Sequence, residues 1–244
     1  MTSVGFSQAE LQSFRNASVP DLVGPGLKLL FVGINPGLWT AATQTHFAHP
    51  GNRFYPALRL AGIVDRDLDR GEPMSEQGRA YLMERGIGIT NLVNRATARA
   101  DELSPAELRA GRARLEAFVA LHHPAVIAIA GVTAYRAAFA DPKATGGEQP
   151  DVLAGARVWV VPNPSGLNAH ATISSLARPA PSGSTRRATA TKKASASTRR
   201  IRRVRGAVIF RFSGSPRILP GPTLALPPRH RPLARQAPLP TPEI

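Results

Sequence analysis

LKLLFVGINPG, residues 27–37, combines an apolar run with a turn and predicts the centre of the fold. Apart from Lys28, residues 27–32 are apolar, which predicts a buried central β-strand. The Asn-Pro-Gly turn that follows ends this strand, because proline and glycine interrupt regular structure. We therefore expect a tight loop, residues 33–37, at the carboxyl end of a central strand.

Strands and helices alternate along the chain on either side of this stretch. Further strands are predicted at residues 88–93, 126–131 and 158–162, and helices at 53–61, 77–85, 104–119 and 133–140. The third of these helices has the clearest start, because Ser104 can cap it, Pro105 suits its first turn and Glu107 completes a capping box. This alternation predicts an α/β fold, a three-layer sandwich with a central, mostly parallel four-stranded sheet flanked by helices.

Two loops of this predicted fold are unlike ordinary connections. They are residues 33–37 (GINPG) after the first strand and residues 163–168 (NPSGLN) after the last strand. Open parallel sheets bind ligands in the crevice outside the carboxyl ends of their strands. Both loops are therefore candidate parts of a functional site.

Composition excludes several classes of protein. The chain has no cysteine, so a disulfide framework and a thiolate metal site are both excluded. The histidines show no accompanying carboxylate pattern, and we expect neither a metal nor another cofactor. No stretch approaches the ~20 apolar residues of a membrane span, and the first residues are not typical of a signal peptide. We expect a soluble, monomeric protein of the cytoplasm, associated with the nucleoid and not with a membrane.

Charge is distributed unevenly along the chain. Residues 171–244 hold 15 of the 31 Lys and Arg residues but 1 of the 16 Asp and Glu residues, so the remaining 170 residues are nearly neutral. The predicted organisation is an N-terminal extension (1–20), a folded domain (21–177) and a basic, disordered tail rich in Pro, Arg and Ser (178–244). The tail is either a natural basic arm that adds DNA affinity or the product of out-of-frame translation, in which case the final helix of the domain is incomplete.

Three segments resemble the mismatch-specific uracil-DNA and thymine-DNA glycosylase family of the uracil-DNA glycosylase superfamily. They are GINPG (33–37), FAHPGNRF (47–54) and NPSGL (163–167), and they occur in the order of the family's motifs. The resemblance covers roughly residues 20–175. It implies a monofunctional glycosylase that flips uracil or thymine, mispaired with guanine, out of duplex DNA and hydrolyses its N-glycosidic bond.

The resemblance also implies a role for individual residues. Asn35 would position the attacking water, and Phe47 would stack on the extruded base, as aromatic faces do for any base. Leu167 would enter the duplex where the base leaves. The expected substrate-binding residues are Ile34, Gly37, Phe47 and Asn163, and the expected DNA-binding residues are Thr40, Ser165, Gly166, Leu167 and Asn168.

Other functions are also compatible with the sequence. Relatives often carry an arginine just past the second loop, but Asn168, Ala169 and His170 stand here, so the opposite-base preference is open. The alternatives are a superfamily glycosylase for other lesions, such as hypoxanthine or ethenocytosine, a catalytically impaired DNA-binding protein, and an unrelated α/β enzyme that binds a nucleotide. The sequence contains no glycine-rich phosphate-binding loop, which argues against the last alternative.

Overall fold

The computed structural model describes residues 5–68 and 72–165. The strands are β1 (Leu29–Gly33), β2 (Ile87–Asn91), β3 (Val126–Ala130), β4 (Gly147–Leu153) and β5 (Ala156–Val161). The helices are α1 (Gln8–Ser13), α2 (Leu38–Thr43), α3 (Phe54–Leu60), α4 (Glu76–Glu84), α5 (Pro105–His122) and α6 (Val132–Phe139). The expected tail at 178–244 lies outside the described residues, as does the end of the expected domain.

The strands form one sheet in the order β2-β1-β3-β5-β4. The pairs β1–β2, β1–β3 and β3–β5 are parallel, and β4 pairs with β5 antiparallel. The α/β class and the mostly parallel sheet are confirmed. The expected number of four strands is wrong, because β4 adds a fifth strand at the edge of the sheet.

Apolar side chains cover both faces of the sheet. Alternate residues of β1 point to opposite faces: Leu30 and Val32 pack with α5 and α6, whereas Leu29 and Phe31 pack with α3 and α4. Because both faces are buried, the central strands are apolar throughout. The expected three-layer arrangement of helix, sheet and helix is thereby confirmed.

The start of α5 follows the expected capping chemistry. The Ser104 hydroxyl accepts a hydrogen bond from the Glu107 backbone N–H at 3.2 Å, and the Glu107 carboxylate accepts one from the Ser104 backbone N–H at 2.9 Å. Pro105 occupies the first turn, where its missing N–H costs nothing. The predicted start of this helix is confirmed, and the helix fixes the loop from β2 that borders the functional site.

Strand order places the functional loops at one position in the sheet. The chain passes from β1 to β2 on one side and then returns to β3 on the other side of β1. Such a reversal opens a crevice between the two central strands at their carboxyl ends. The loop of residues 33–37 begins at the end of β1 beside this crevice, and Gly131 directly follows the end of β3 there.

Candidate active site

Asn35 is held through its amide nitrogen. Its Nδ2 donates to the Arg95 backbone carbonyl at 2.8 Å and to the Thr97 hydroxyl at 2.7 Å. The Thr97 hydroxyl gives its own hydrogen to the Arg99 carbonyl at 2.7 Å, so toward Asn35 it can only accept. Both amide hydrogens are thus committed, and Oδ1 is the atom of this half-buried side chain that can accept a hydrogen bond from water.

The backbone of residues 33–37 is fixed by the segment that follows β2. The N–H groups of Leu92, Val93 and Thr97 donate to the carbonyls of Gly33 at 2.8 Å, Ile34 at 3.0 Å and Pro36 at 3.2 Å, respectively. We call residues 33–37 the cradle. Because three of its five carbonyls are hydrogen-bonded to one neighbouring segment, the cradle is preorganised without a ligand.

Phe47 lies beside the cradle and rests on a second aromatic ring. Its ring stacks on that of Phe54, with centroids 4.1 Å apart and planes inclined by 27°. A Cβ placed on Gly33 would lie 3.3 Å from the tip of the Phe47 ring, which shows how closely the two approach. Phe47 is half-buried and has φ = 57°, a left-handed backbone conformation that costs energy for a residue other than glycine.

Asn91 and His46 connect the cradle to the segment that carries Phe47. A Cβ on Gly33 would overlap with Oδ1 of Asn91, so the glycine lets the Asn91 side chain reach the cradle. Nδ2 of Asn91 lies 3.3 Å from Nδ1 of His46, and Nε2 of His46 lies 2.9 Å from the Pro20 carbonyl. Tyr55 donates its hydroxyl to the His46 carbonyl at 2.8 Å, and burial raises the pKa of Tyr55, which keeps this donor protonated.

The tautomer of His46 follows from these partners. A carbonyl can only accept, so Nε2 carries the hydrogen that bonds to Pro20. Burial lowers the pKa of His46, which favours the neutral ring and leaves Nδ1 as an acceptor. Asn91 therefore contributes an N–H to Nδ1, and its Oδ1 points to the Gly33 side.

The second loop, of which the structure describes residues 163–165, approaches the cradle from the side of β3 and β5. A Cβ on Gly131 would lie 3.3 Å from Cδ1 of Ile34 and 3.6 Å from Cβ of Asn163, so the ends of β1, β3 and β5 converge there. Oδ1 of Asn163 accepts from the Ser165 backbone N–H at 3.1 Å. The Pro164 carbonyl accepts from the Arg53 backbone N–H at 3.0 Å, which ties this loop to the start of α3.

The remaining predicted residues lie in different surroundings. Gly37 is exposed at φ = −74°, and a Cβ there would meet nothing within 4 Å, so no contact within the described chain requires glycine. Thr40, expected to bind DNA, is buried in α2 at 7% exposure. Ser165 is half-buried. Gly166, Leu167 and Asn168 lie outside the described residues.

Three residues of the site were missed by the sequence interpretation. They are Thr97, Asn91 and His46. Thr97 and Asn35 are 62 positions apart, so no local pattern links them. The position of Asn91, a polar residue at the end of an apolar strand like Asn35 after β1, is the one signal that could have identified it.

The described part of the chain shows no group of three or more His, Cys, Asp or Glu residues placed to bind a metal ion. Within the same residues, no helix has the length and apolar character needed to cross a membrane.

Comparison with known proteins identifies the family. A solution NMR structure of a candidate uracil DNA glycosylase from Methanosarcina acetivorans is similar, with 17% sequence identity, a TM-score of 0.41, and coverage of 62% of this chain and 85% of that chain. The sequence profile of the uracil DNA glycosylase superfamily matches residues 20–182, which include the cradle, Phe47 and the second loop. The chain belongs to the uracil DNA glycosylase superfamily of DNA-repair enzymes.

Proposed function

We propose that this protein is a monofunctional DNA glycosylase that removes uracil or thymine from mispairs with guanine in duplex DNA. The observation that carries the proposal is the Asn35 amide, whose two hydrogens are held by Arg95 and Thr97 while Oδ1 can accept from water. Membership of the superfamily supports the glycosylase class. The mismatch preference rests on the resemblance of the three motif segments.

The reaction requires a water molecule aimed at the anomeric carbon of the sugar. Oδ1 of Asn35 accepts one hydrogen of this water and orients its lone pair toward the carbon. The oxygen then bonds to the anomeric carbon as the glycosidic bond breaks, and the bonding pair leaves with the base. An amide cannot take the released proton as a carboxylate would, so the proton passes to solvent.

The rate on this proposal comes from positioning more than from proton transfer. Fixing reactants in one geometry lowers the entropy cost of reaching the transition state. The cradle carbonyls and the Asn35 amide are held by one segment, residues 92–97, which supports such a role. Turnover is expected to be slow, because the Asn35 amide orients the water without taking its proton.

Phe47 supports the base-flipping part of the proposal. Its ring is half-buried and is buttressed on Phe54, so it can offer a rigid aromatic surface to an extruded pyrimidine. Stacking of this kind contributes about 1–3 kcal/mol per base. Extrusion costs less from a mispair than from a Watson–Crick pair, which favours mismatched substrates.

Hydrolysis without strand cleavage is the simpler chemistry for this site. A glycosylase that also cleaves the strand forms a Schiff base through an amine nucleophile. The three motif segments contain no lysine. The proposed product is therefore an intact strand with an abasic site.

Single-turnover base release tests this function. Duplexes with G:U, G:T and A:U pairs, single-stranded uracil, and duplexes with hypoxanthine or ethenocytosine would each be incubated with excess enzyme. We expect the fastest release from G:U and strand breaks only after alkali treatment. Absence of release from G:U would overturn the proposal, whereas faster release of another lesion would replace uracil as the substrate.

A further inference from the structure

Arg114 reaches from α5 to the carboxyl end of β2. Its guanidinium donates through Nη2 to the Asn91 backbone carbonyl and, at 3.2 Å, to the Thr90 hydroxyl. Its Nη1 lies 3.6 Å from Oδ2 of Asp21, and the Thr90 hydroxyl donates to Oδ1 of the same carboxylate at 2.6 Å. The Arg114 guanidinium, the Thr90 hydroxyl and the Asp21 carboxylate thus contact one another at the end of this strand, and the guanidinium also binds the Asn91 carbonyl.

This arrangement adds little to stability. Thr90 is fully buried, Asn91 is 3% exposed, and Nε of Arg114 is buried without a hydrogen-bond partner among the described residues. The Arg114 side chain as a whole is 38% exposed, and an ion pair that is screened by solvent contributes little to stability. The 3.6 Å separation from Asp21 is too long for a strong charge-assisted hydrogen bond. A positional role therefore explains these contacts better than a gain in stability.

The residue that Arg114 holds is the link between two parts of the active site. The Asn91 side chain touches the cradle at Gly33 through Oδ1 and His46 through Nδ2. His46 directly precedes Phe47, whose ring also approaches Gly33. A shift of Asn91 would therefore change the gap between the cradle and the Phe47 ring.

We propose that Arg114, balanced by Asp21, is a positioning residue that acts through Asn91 to set the spacing between the cradle and the Phe47 ring. Its hydrogen bonds go to Thr90 and Asn91, so it acts on these parts through another residue. Its effect on rate rests on the glycosylase function proposed above. Its effect on the geometry of Asn91 and His46 does not depend on that function.

The test compares Arg114→Met, Arg114→Lys and a matched control, Arg112→Met. Arg112 lies on the same helix, and its ion pair partner Glu116, at 3.4 Å, belongs to α5 as well. We expect Arg114→Met to slow single-turnover release from G:U by about tenfold or more, since misplacement of reacting groups by about 1 Å can cost a hundredfold. Duplex affinity should stay within about twofold of wild type, Lys should restore part of the rate, and Arg112→Met should leave release unchanged.

A double-mutant comparison separates positioning from general destabilisation. If Arg114 acts through Asn91, the variant Asn91→Ala with Arg114→Met should release uracil no more slowly than Asn91→Ala alone. Additive losses, or an Asn91→Ala variant as fast as wild type, would overturn the proposal.

A measurement without turnover keeps the two proposals apart. The ¹⁵N–¹H resonances of the Asn91 side-chain amide and the ring nitrogens of His46 should shift in Arg114→Met and stay in place in Arg112→Met. If wild type releases no uracil but these shifts occur, the proposed function fails and the positioning role stands. If the resonances do not move, the positioning role is contradicted whatever the activity.

Discussion

Both hydrogens of the Asn35 amide are donated to acceptors. One acceptor is the Arg95 carbonyl, and the other is the Thr97 hydroxyl, whose hydrogen is committed to the Arg99 carbonyl. Asn35→Asp would place a carboxylate oxygen against the Arg95 carbonyl, and the Thr97 hydroxyl could donate to it only by giving up its hydrogen bond to the Arg99 carbonyl. We expect Asn35→Asp to lower the free energy of unfolding at pH 7 by about 1–3 kcal/mol and to slow base release.

Chemical denaturation at pH 7 measures this loss. Asn16→Asp is the matched control, because Oδ1 of Asn16 accepts from Nη1 of Arg95 at 3.1 Å, a hydrogen bond that a carboxylate retains. Equal stability of Asn35→Asp and wild type would show that the amide nitrogen is not held as described.

Burial of His46 makes stability depend on pH. Burial lowers its pKa in the folded protein below the ordinary value of 6.5. As the pH falls below 6.5, the unfolded chain takes up a proton on this ring before the folded protein does, so its contribution to stability is present above that pH and is lost below it. We expect the Tm of wild type to fall relative to His46→Gln between pH 6.5 and pH 5. A constant difference in Tm over that range would contradict this assignment.

The roles of single residues could be predicted from the sequence only where a local motif carries them. Asn35 and Phe47 lie in such motifs, and both border the candidate site. Thr97, Asn91 and His46 gain their roles from contacts between segments 45 or more positions apart. Sequence periodicity carries no information about such contacts, which arise only when the strands assemble.

At the scale of elements, strands and helices with strong apolar periodicity were predicted within a few residues of their observed bounds. Strand β4 was not predicted, because its sequence GEQPDVL contains Pro150 and is typical of a loop. In the structure most of this strand is exposed, and its pairing with β5 is irregular between Glu148 and Val152. Proline and charge are typical of edge strands, where they prevent pairing with other chains. The turn to β5, with Ala154 at φ = 46° and Gly155 at φ = 87°, has the left-handed pair of residues that a two-residue hairpin favours. Helices α1 and α2 were also not predicted, because each has six residues and is too short to show the apolar periodicity of a helix.

The packing of α5 on the loop after β2 gives a prediction at this scale. In an exposed helix Gly→Ala would gain about 1 kcal/mol from helix propensity. At Gly111, however, a Cβ would overlap with the Leu92 carbonyl, which belongs to the segment that fixes the cradle. We expect Gly111→Ala to lose about 1–3 kcal/mol of stability, as overpacked sites do.

Thermal unfolding of Gly111→Ala and Ala110→Gly checks this expectation. Ala110 is exposed on the same helix, so its replacement reports helix propensity alone and should cost about 1 kcal/mol. A gain in stability for Gly111→Ala would mean that α5 does not approach Leu92 this closely.

The whole molecule combines a nearly neutral body with a strongly basic C-terminal stretch. Because 15 basic residues and 1 acidic residue lie in residues 171–244, phosphate neutralisation by this stretch would make DNA affinity steeply dependent on salt. We expect deletion of residues 178–244 to flatten the slope of log affinity against log salt and to weaken binding at low salt. Fluorescence anisotropy on one duplex across a salt series measures both slopes. Identical slopes would rule out a role of the tail in binding DNA.

The claim that Asn35 positions the hydrolytic water is tested most directly by Asn35→Ala on a G:U duplex. Single-turnover release and duplex affinity would be measured on the same preparations, with unfolding curves to confirm the fold. We expect release to fall by about a hundredfold or more while affinity stays within about threefold of wild type. Release by Asn35→Ala at the wild-type rate would contradict it.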